Sequence, residues 1–181
     1  DIVCGEQSVR LTVTQTAASG ETDFTVLFDP GFAQKLQELG HISDAENITS
    51  ADMEKIAAIT ELDVSGTYGN RGTLTSLQGI EYFESLTELY CLYNQLTSLD
   101  VSANTALTEL YCLSNQLTSL DVSANTALTF LECEDNPGDG VSKFPVTAWF
   151  DNDTKPDNLE IYQEQWTYGG KTITIEFQKA E

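Results

Sequence analysis

Apolar residues recur along the middle of the chain with one fixed spacing. Leu86, Leu89, Cys91, Leu96, Leu99 and Val101 are followed 21 residues later by Leu107, Leu110, Cys112, Leu117, Leu120 and Val122. A third copy opens with Leu128, Leu131 and Cys133 and is stopped by Pro137 and Gly138. Residues 86–106 and 107–127 differ only in carrying Tyr93 against Ser114. Upstream, Ile59, Leu62 and Val64 begin a degenerate copy that runs through Leu74, Leu77, Ile80 and Phe83 to Leu86. A fixed internal period of this length is the signature of a chain wound into stacked coils, and here it predicts about four.

The spacing within one coil predicts its shape. In Leu110-Tyr111-Cys112 the alternation has period two, so Leu and Cys point inward and Tyr outward from a short strand. Asn115 follows, a residue whose amide can bond backbone groups where the coil bends. Leu117, Leu120 and Val122, with Asn125, repeat the apolar spacing and form the opposite wall. A single coil cannot bury its leucines on both sides, whereas stacked coils can, provided the two ends are capped.

The flanks read as caps. "SVRLTVTQT" and "FTVLF" alternate as two strands or a hairpin. In "DPGFAQKLQELG", Asp29 caps a helix, Pro30 suits its first turn, Phe32, Leu36 and Leu39 share a face, and Gly40 ends it. A second short helix is expected from about Ser50 to Ala58. After the repeats, "TYGGKTITIEF" predicts a Gly-Gly turn leading into a strand that turns Ile173, Ile175 and Phe177 to one side. Trp149, Phe150 and Trp166 anchor this segment over the last coil, which would otherwise expose Leu128 and Leu131.

Charge narrows the function. The chain carries 29 Asp and Glu against 8 Lys and Arg, a formal net charge of -21. Nucleic-acid binding, which needs basic side chains to replace counterions, is excluded. No apolar run reaches the roughly 18 residues of a membrane span. Asp1 to Glu6 lack the basic-then-apolar pattern of a signal segment, and Asp1-Ile2-Val3 lack the small residue expected before a lipid-modified Cys4. A lipoprotein anchor, where the protein has one, is expected outside these residues.

Catalytic chemistry is not recognisable: His41 stands alone, and there is no phosphate loop or nucleophile elbow. No metal or cofactor is expected. Cys91, Cys112 and Cys133 stack in one column, where parallel strands about 4.8 Å apart hold Cβ atoms farther than the roughly 3.8 Å a disulfide prefers. They read as small buried hydrophobes. The helix-loop-helix around "HISDAENIT" and the loop "DNDTKPD" both lack the ligand spacing of a calcium hand.

The unit Leu-x-x-Leu-x-Cys-x-x-Asn-x-Leu resembles the leucine-rich repeats of the bacterial internalin family. Its nearest variety is the internalin J-like one, with 21-residue coils and a core cysteine. The resemblance covers residues 48–137, and "ITSADMEKIAAITELDVSG" looks like that family's helical N-terminal cap. "GTYGNRG", residues 66–72, lengthens the first turn to 27 residues and is expected to bulge as an exposed loop. The fold expected is therefore α/β, a short leucine-rich-repeat solenoid with a parallel sheet. Residues 1–47 form N-terminal strands and a helix, 48–137 the solenoid with its helical cap, and 138–181 a C-terminal β cap.

The outward strand positions are the candidate ligand-binding residues: Glu88, Tyr90, Leu92 and Tyr93; Glu109, Tyr111 and Leu113; Phe130, Glu132 and Glu134. Leu and Tyr exposed between acids make an amphipathic face with aromatic anchors. Four strands give about 15 Å by about 17 Å, well short of the roughly 800 Å² each partner contributes to a stable protein interface. A short peptide, or a larger partner that also engages the flanks, fits that size. The resemblance implies recognition of a protein or peptide, extracellularly or at a bacterial cell surface, without enzymatic activity. Carbohydrate stacking on Tyr90, Tyr111 and Phe130 is the second candidate, and a purely structural or assembly role the third.

Overall fold

The computed structural model describes residues 14–15 and 22–181. Cys4 and most of the "SVRLTVTQT" segment lie outside the described residues. Strands β1 (Thr14–Gln15) and β2 (Thr22–Asp23) pair antiparallel as a small hairpin. "FTVLF" is not the strand its alternation predicts: Thr25–Leu27 form a 3-10 turn. The Asp23 carboxylate accepts from the Thr25 N–H and turns the chain at once.

Helix α1 (Pro30–Glu38) starts on Asp29, whose side chain accepts from the backbone of Gly31 and Phe32. Phe32, Ala33 and Leu36 are buried, whereas Leu39, expected on the same face, lies past the helix end and is 41% exposed. Helix α2 (Ser50–Ala57) starts with a reciprocal cap between Thr49 and Asp52. Asp52 is buried and also accepts from Ser43 and Lys55, so the loop between the helices is tied by hydrogen bonds. Burial raises the Asp52 carboxyl, but bonds from Thr49, Lys55 and Ser43 outweigh it and hold the group below its usual range.

The solenoid follows. Strands β3 (Glu61–Asp63), β4 (Glu88–Tyr90), β5 (Glu109–Tyr111) and β7 (Phe130–Glu132) pair parallel, with Leu62, Leu89, Leu110 and Leu131 in one register. The sheet has a fifth strand, β9 (Glu160–Ile161), with Ile161 opposite Leu131. One strand more than the repeat predicts is thus supplied from the C-terminal segment. On the opposite wall, β6 (Leu120–Asp121) pairs parallel with β8 (Lys143–Ala148). Strand β8 runs alongside β11 (Lys171–Lys179), and β10 (Gln165–Tyr168) completes that sheet. Both walls of the last coil are therefore continued by the cap, and Leu128 and Leu131 are buried.

Two internal ladders bind coil to coil. Asn115 donates to the carbonyls of Cys91 (2.9 Å), Cys112 (3.0 Å) and Leu113 (3.3 Å), and its oxygen accepts from the Leu96 N–H at 3.0 Å. Asn136 repeats this one coil on, with Leu117 as donor. On the far wall Asn104 donates to Ile80 and Phe83, and Asn125 to Val101 and Asn104. All four are fully buried. Each amide satisfies carbonyls that the bend strips of strand partners.

Cys91, Cys112 and Cys133 are free thiols, buried in the column the period predicts. Desolvation pushes Cys91 up to about 12 and Cys112 and Cys133 upward as well, so they stay protonated and inert. Among the described residues no group of three or more His, Cys, Asp or Glu could hold a metal ion. No helix among them is long and apolar enough to cross a membrane.

Candidate functional site: the strand face

The repeated sequence Glu-Leu-Tyr builds the face. In β4 and β5 the Leu is buried while Glu and Tyr on either side point outward and remain half-exposed. Two residues apart on one face, they meet: the Tyr90 hydroxyl donates to Glu88 at 2.7 Å and the Tyr111 hydroxyl to Glu109 at 2.6 Å. These charge-assisted bonds fix both phenols in place. The Tyr90 hydroxyl is held well above its usual range, first by its bond to Glu88 and then by burial, and burial with the Glu109 bond pushes Tyr111 up to about 12.

Register stacks the rings. Tyr90 and Tyr111 lie face to face with centroids 4.4 Å apart and planes at 14°. Tyr111 then meets Phe130 at 5.0 Å, tilted by 32°. In β7 the order of types is reversed, Phe-Leu-Glu for Glu-Leu-Tyr, so Phe130 pairs with Glu109 and Glu132 with Tyr111. The aromatic ladder therefore runs diagonally. Glu132 is left without a phenol on its own strand.

Beyond the strands the ladder of backbone bonds continues: Cys112 N–H to Glu132 O at 2.8 Å and Ser114 N–H to Glu134 O at 2.9 Å. Here the structure corrects the expectation of an exposed Leu–Leu–Glu column. Leu92 is half-buried, and Leu113 and Glu134 are buried at 7% and 6% exposure. The alternation of a single strand does not reveal this burial, because it says nothing of what lies beside each position in the stack. Burial, aided by the charge of Glu132, by a hydrogen bond between the two carboxyls and by the charge of Asp135, pushes Glu134 up to about 7, while burial raises Glu132 against that same bond. The Oε2 atom of Glu134 has no hydrogen-bond partner among the described residues.

The margin is set by Tyr93, Ser114 and Asp135, all in the left-handed region at φ 53°, 56° and 54°. Residues 66–72 lie along it. Their base is pinned by Gly66 N–H to Leu92 O at 2.9 Å and Gly72 N–H to Tyr93 O at 2.8 Å. A Cβ on Gly72 would fall 2.0 Å from Asn94 Oδ1, so only glycine fits there. At the loop's tip Tyr68 is 88% exposed and packs edge-on against Tyr93, while Arg71 reaches the Ser114 carbonyl at 3.4 Å. Tyr68, Arg71 and Tyr162, which is 62% exposed just past β9, border the face and were not among the positions singled out by the repeat. Tyr68 and Arg71 belong to the loop expected from the lengthened turn, whereas the only cue to Tyr162 was the Leu159–Ile161 alternation, whose distance from Leu131 hides it from a 21-residue period.

His41 and the acidic loop at 151–157 belong to other parts of the fold. His41 is partly buried, lowered in pKa by desolvation, and far in sequence from the face. In the 151–157 loop Asp151 already accepts from Asp153 and Thr154.

No family model matches the chain. It is 37% identical over 100 residues to Internalin J of Listeria monocytogenes, a stretch that is 54% of this chain and 10% of that protein. Among solved structures it is similar to the functional domain of InlJ from Listeria monocytogenes, described as including a cysteine ladder. The TM-score is 0.60 at 31% identity, covering 88% of this chain and 31% of that one. It is also similar to an internalin, InlF, from the same organism, with a TM-score of 0.53 at 28% identity over 67% of this chain and 34% of that one. The chain thus spans about a tenth of its curated relative and about a third of each solved domain. With its in-register leucines, buried asparagine ladder and column of free cysteines, the chain is a leucine-rich-repeat solenoid similar to those of the internalins.

Proposed function

We propose that the strand face binds an extended peptide or a protein segment, at a bacterial cell surface or outside the cell, without catalysing a reaction. The observation that carries this is the Tyr90–Tyr111–Phe130 ladder with its two phenols clamped by Glu88 and Glu109. Aromatic side chains already locked in place lose little freedom on binding and make effective anchors. Five strands in place of four lengthen the face, and the rim of Tyr68, Arg71 and Tyr162 adds area toward what a partner needs. The likeness to internalins supports the same class of function.

Glycan binding is the weaker reading on one observation. Sugars stack on open ring faces, and here Tyr90 and Tyr111 turn their faces to each other at 4.4 Å. A purely structural role would leave the face indifferent to mutation.

Selection of a displayed random-peptide library on the whole chain tests the proposal. Enriched peptides should bind about tenfold or more weakly to the Tyr90→Ala, Tyr111→Ala double variant. Enriched peptides that bind the double variant equally well, or no enrichment at all, would overturn it.

A further inference from the structure

We propose that the end of the ladder formed by Glu132 and Glu134, with Tyr111, Phe130 and Tyr162 around it, is the docking point for an arginine side chain of the partner. This rests on the strand-face reading above and narrows the partner to one with an exposed guanidinium.

Four observations converge on it. First, β7 exchanges the positions of its aromatic and acidic residues, so Glu132, unlike Glu88 and Glu109, has no tyrosine hydroxyl beside it on its own strand. Secondly, Glu134 occupies a column whose other members are Leu92 and Leu113, is 94% buried by its 6% exposure, and leaves Oε2 unpartnered. A carboxylate so placed carries a desolvation penalty that a cationic hydrogen-bond donor would relieve. Thirdly, positive charge is scarce nearby. The ion pairs among the described residues are Lys55 with Asp52 and Lys143 with Glu176, and the Arg71 guanidinium is bonded to a carbonyl. Fourthly, aromatic residues border the two carboxyls. Tyr111 precedes Glu132 in its column, Phe130 lies two residues away on the same face, and Tyr162 follows Ile161, which pairs with Leu131.

The chemistry distinguishes among cations. A planar guanidinium can bond two carboxylates at once while lying against an aromatic ring; a compact ammonium ion does the first poorly and the second less well. A divalent metal wants more oxygen ligands than two carboxyls supply, and no group of three acids among the described residues converges as it requires.

The test uses N-acetyl-arginine amide and N-acetyl-lysine amide as probes of the whole chain, followed by backbone amide shifts in NMR. Arginine amide should shift Glu132, Glu134 and Tyr162 with half-saturation at about fivefold lower concentration than lysine amide. Glu134→Gln, which keeps the shape, should weaken arginine binding about tenfold, and Glu132→Gln likewise. Glu38→Gln on the exposed side of α1 removes the same charge from elsewhere and should change nothing. Equal response to arginine and lysine, displacement of arginine by millimolar calcium, or undiminished binding in Glu134→Gln would overturn the docking point. If that happens while the Tyr90→Ala, Tyr111→Ala variant still loses its selected peptides, the strand-face reading stands without it; loss of neither overturns both.

Discussion

At the scale of single residues, two side chains of similar burial do opposite work. Asn115 satisfies three carbonyls and one N–H at the bend between coils. Removing it orphans buried polar groups, each costing about 1–3 kcal/mol. Asn115→Ala should therefore lower unfolding stability by about 2–4 kcal/mol in denaturant titrations, and Asn115→Asp should fare no better, since a carboxylate cannot donate. A loss below half a kilocalorie would sink the ladder's role. Glu134 is the contrary case. Its folded value, pushed up to about 7, lies above the roughly 4.3 of an unfolded Glu. Between those values the folded chain keeps a proton that the unfolded chain releases, so this site loses stability as pH rises through that window and levels off above it. Glu134→Gln should match the parent near pH 4 and exceed it by about 1–3 kcal/mol at pH 8, with solvent screening setting the lower end. The neighbouring charges that share in this are Glu132 and Asp135 on the same coil. A variant no more stable than the parent at pH 8 would show that Glu134 is solvated.

At the scale of elements, the C-terminal cap closes the open end of a short stack. It continues the strand face through β9 and the far wall through β8. Trp166 is buried, packs edge-on against Phe144 at 5.6 Å, and donates its indole N–H to the Asn136 carbonyl at 2.9 Å, the last rung of the asparagine ladder. Trp166→Ala should cost about 3–5 kcal/mol and bring the melting transition of the solenoid down with it; a cap that melts separately while the coils hold would contradict this. The cap's existence was legible from its aromatic residues and Gly-Gly turn, and the two glycines are indeed left-handed at φ 56° and 79°. Its pairing with both walls was not, because residues 138–181 carry no copy of the repeat. Likewise the repeat placed all ten candidate residues on the outward positions, yet hid the burial of Leu113 and Glu134, which depends on what adjacent coils put beside them. "FTVLF" misled for a local reason: one carboxylate, Asp23, bends the chain before a strand can pair.

At the scale of the whole molecule, the thiol column divides inside from outside. Cys91, Cys112 and Cys133 should not react with a thiol reagent in the native state, and three further thiols should become reactive when denaturant unfolds the chain. Reaction of any of the three without unfolding would mean that the column is not sealed. The stack is also modular. Equivalent backbone bonds join successive coils at the same length, Thr108 N–H to Thr87 O and Thr129 N–H to Thr108 O at 2.8 Å each. Two neighbouring units that are interchangeable in sequence and geometry invite unequal recombination of the stretch encoding them. Each such event adds or deletes one storey, moving the acidic end of the ladder about 4.8 Å relative to the loop at 66–72, so the reach of the face can be retuned in steps while both caps stay as they are.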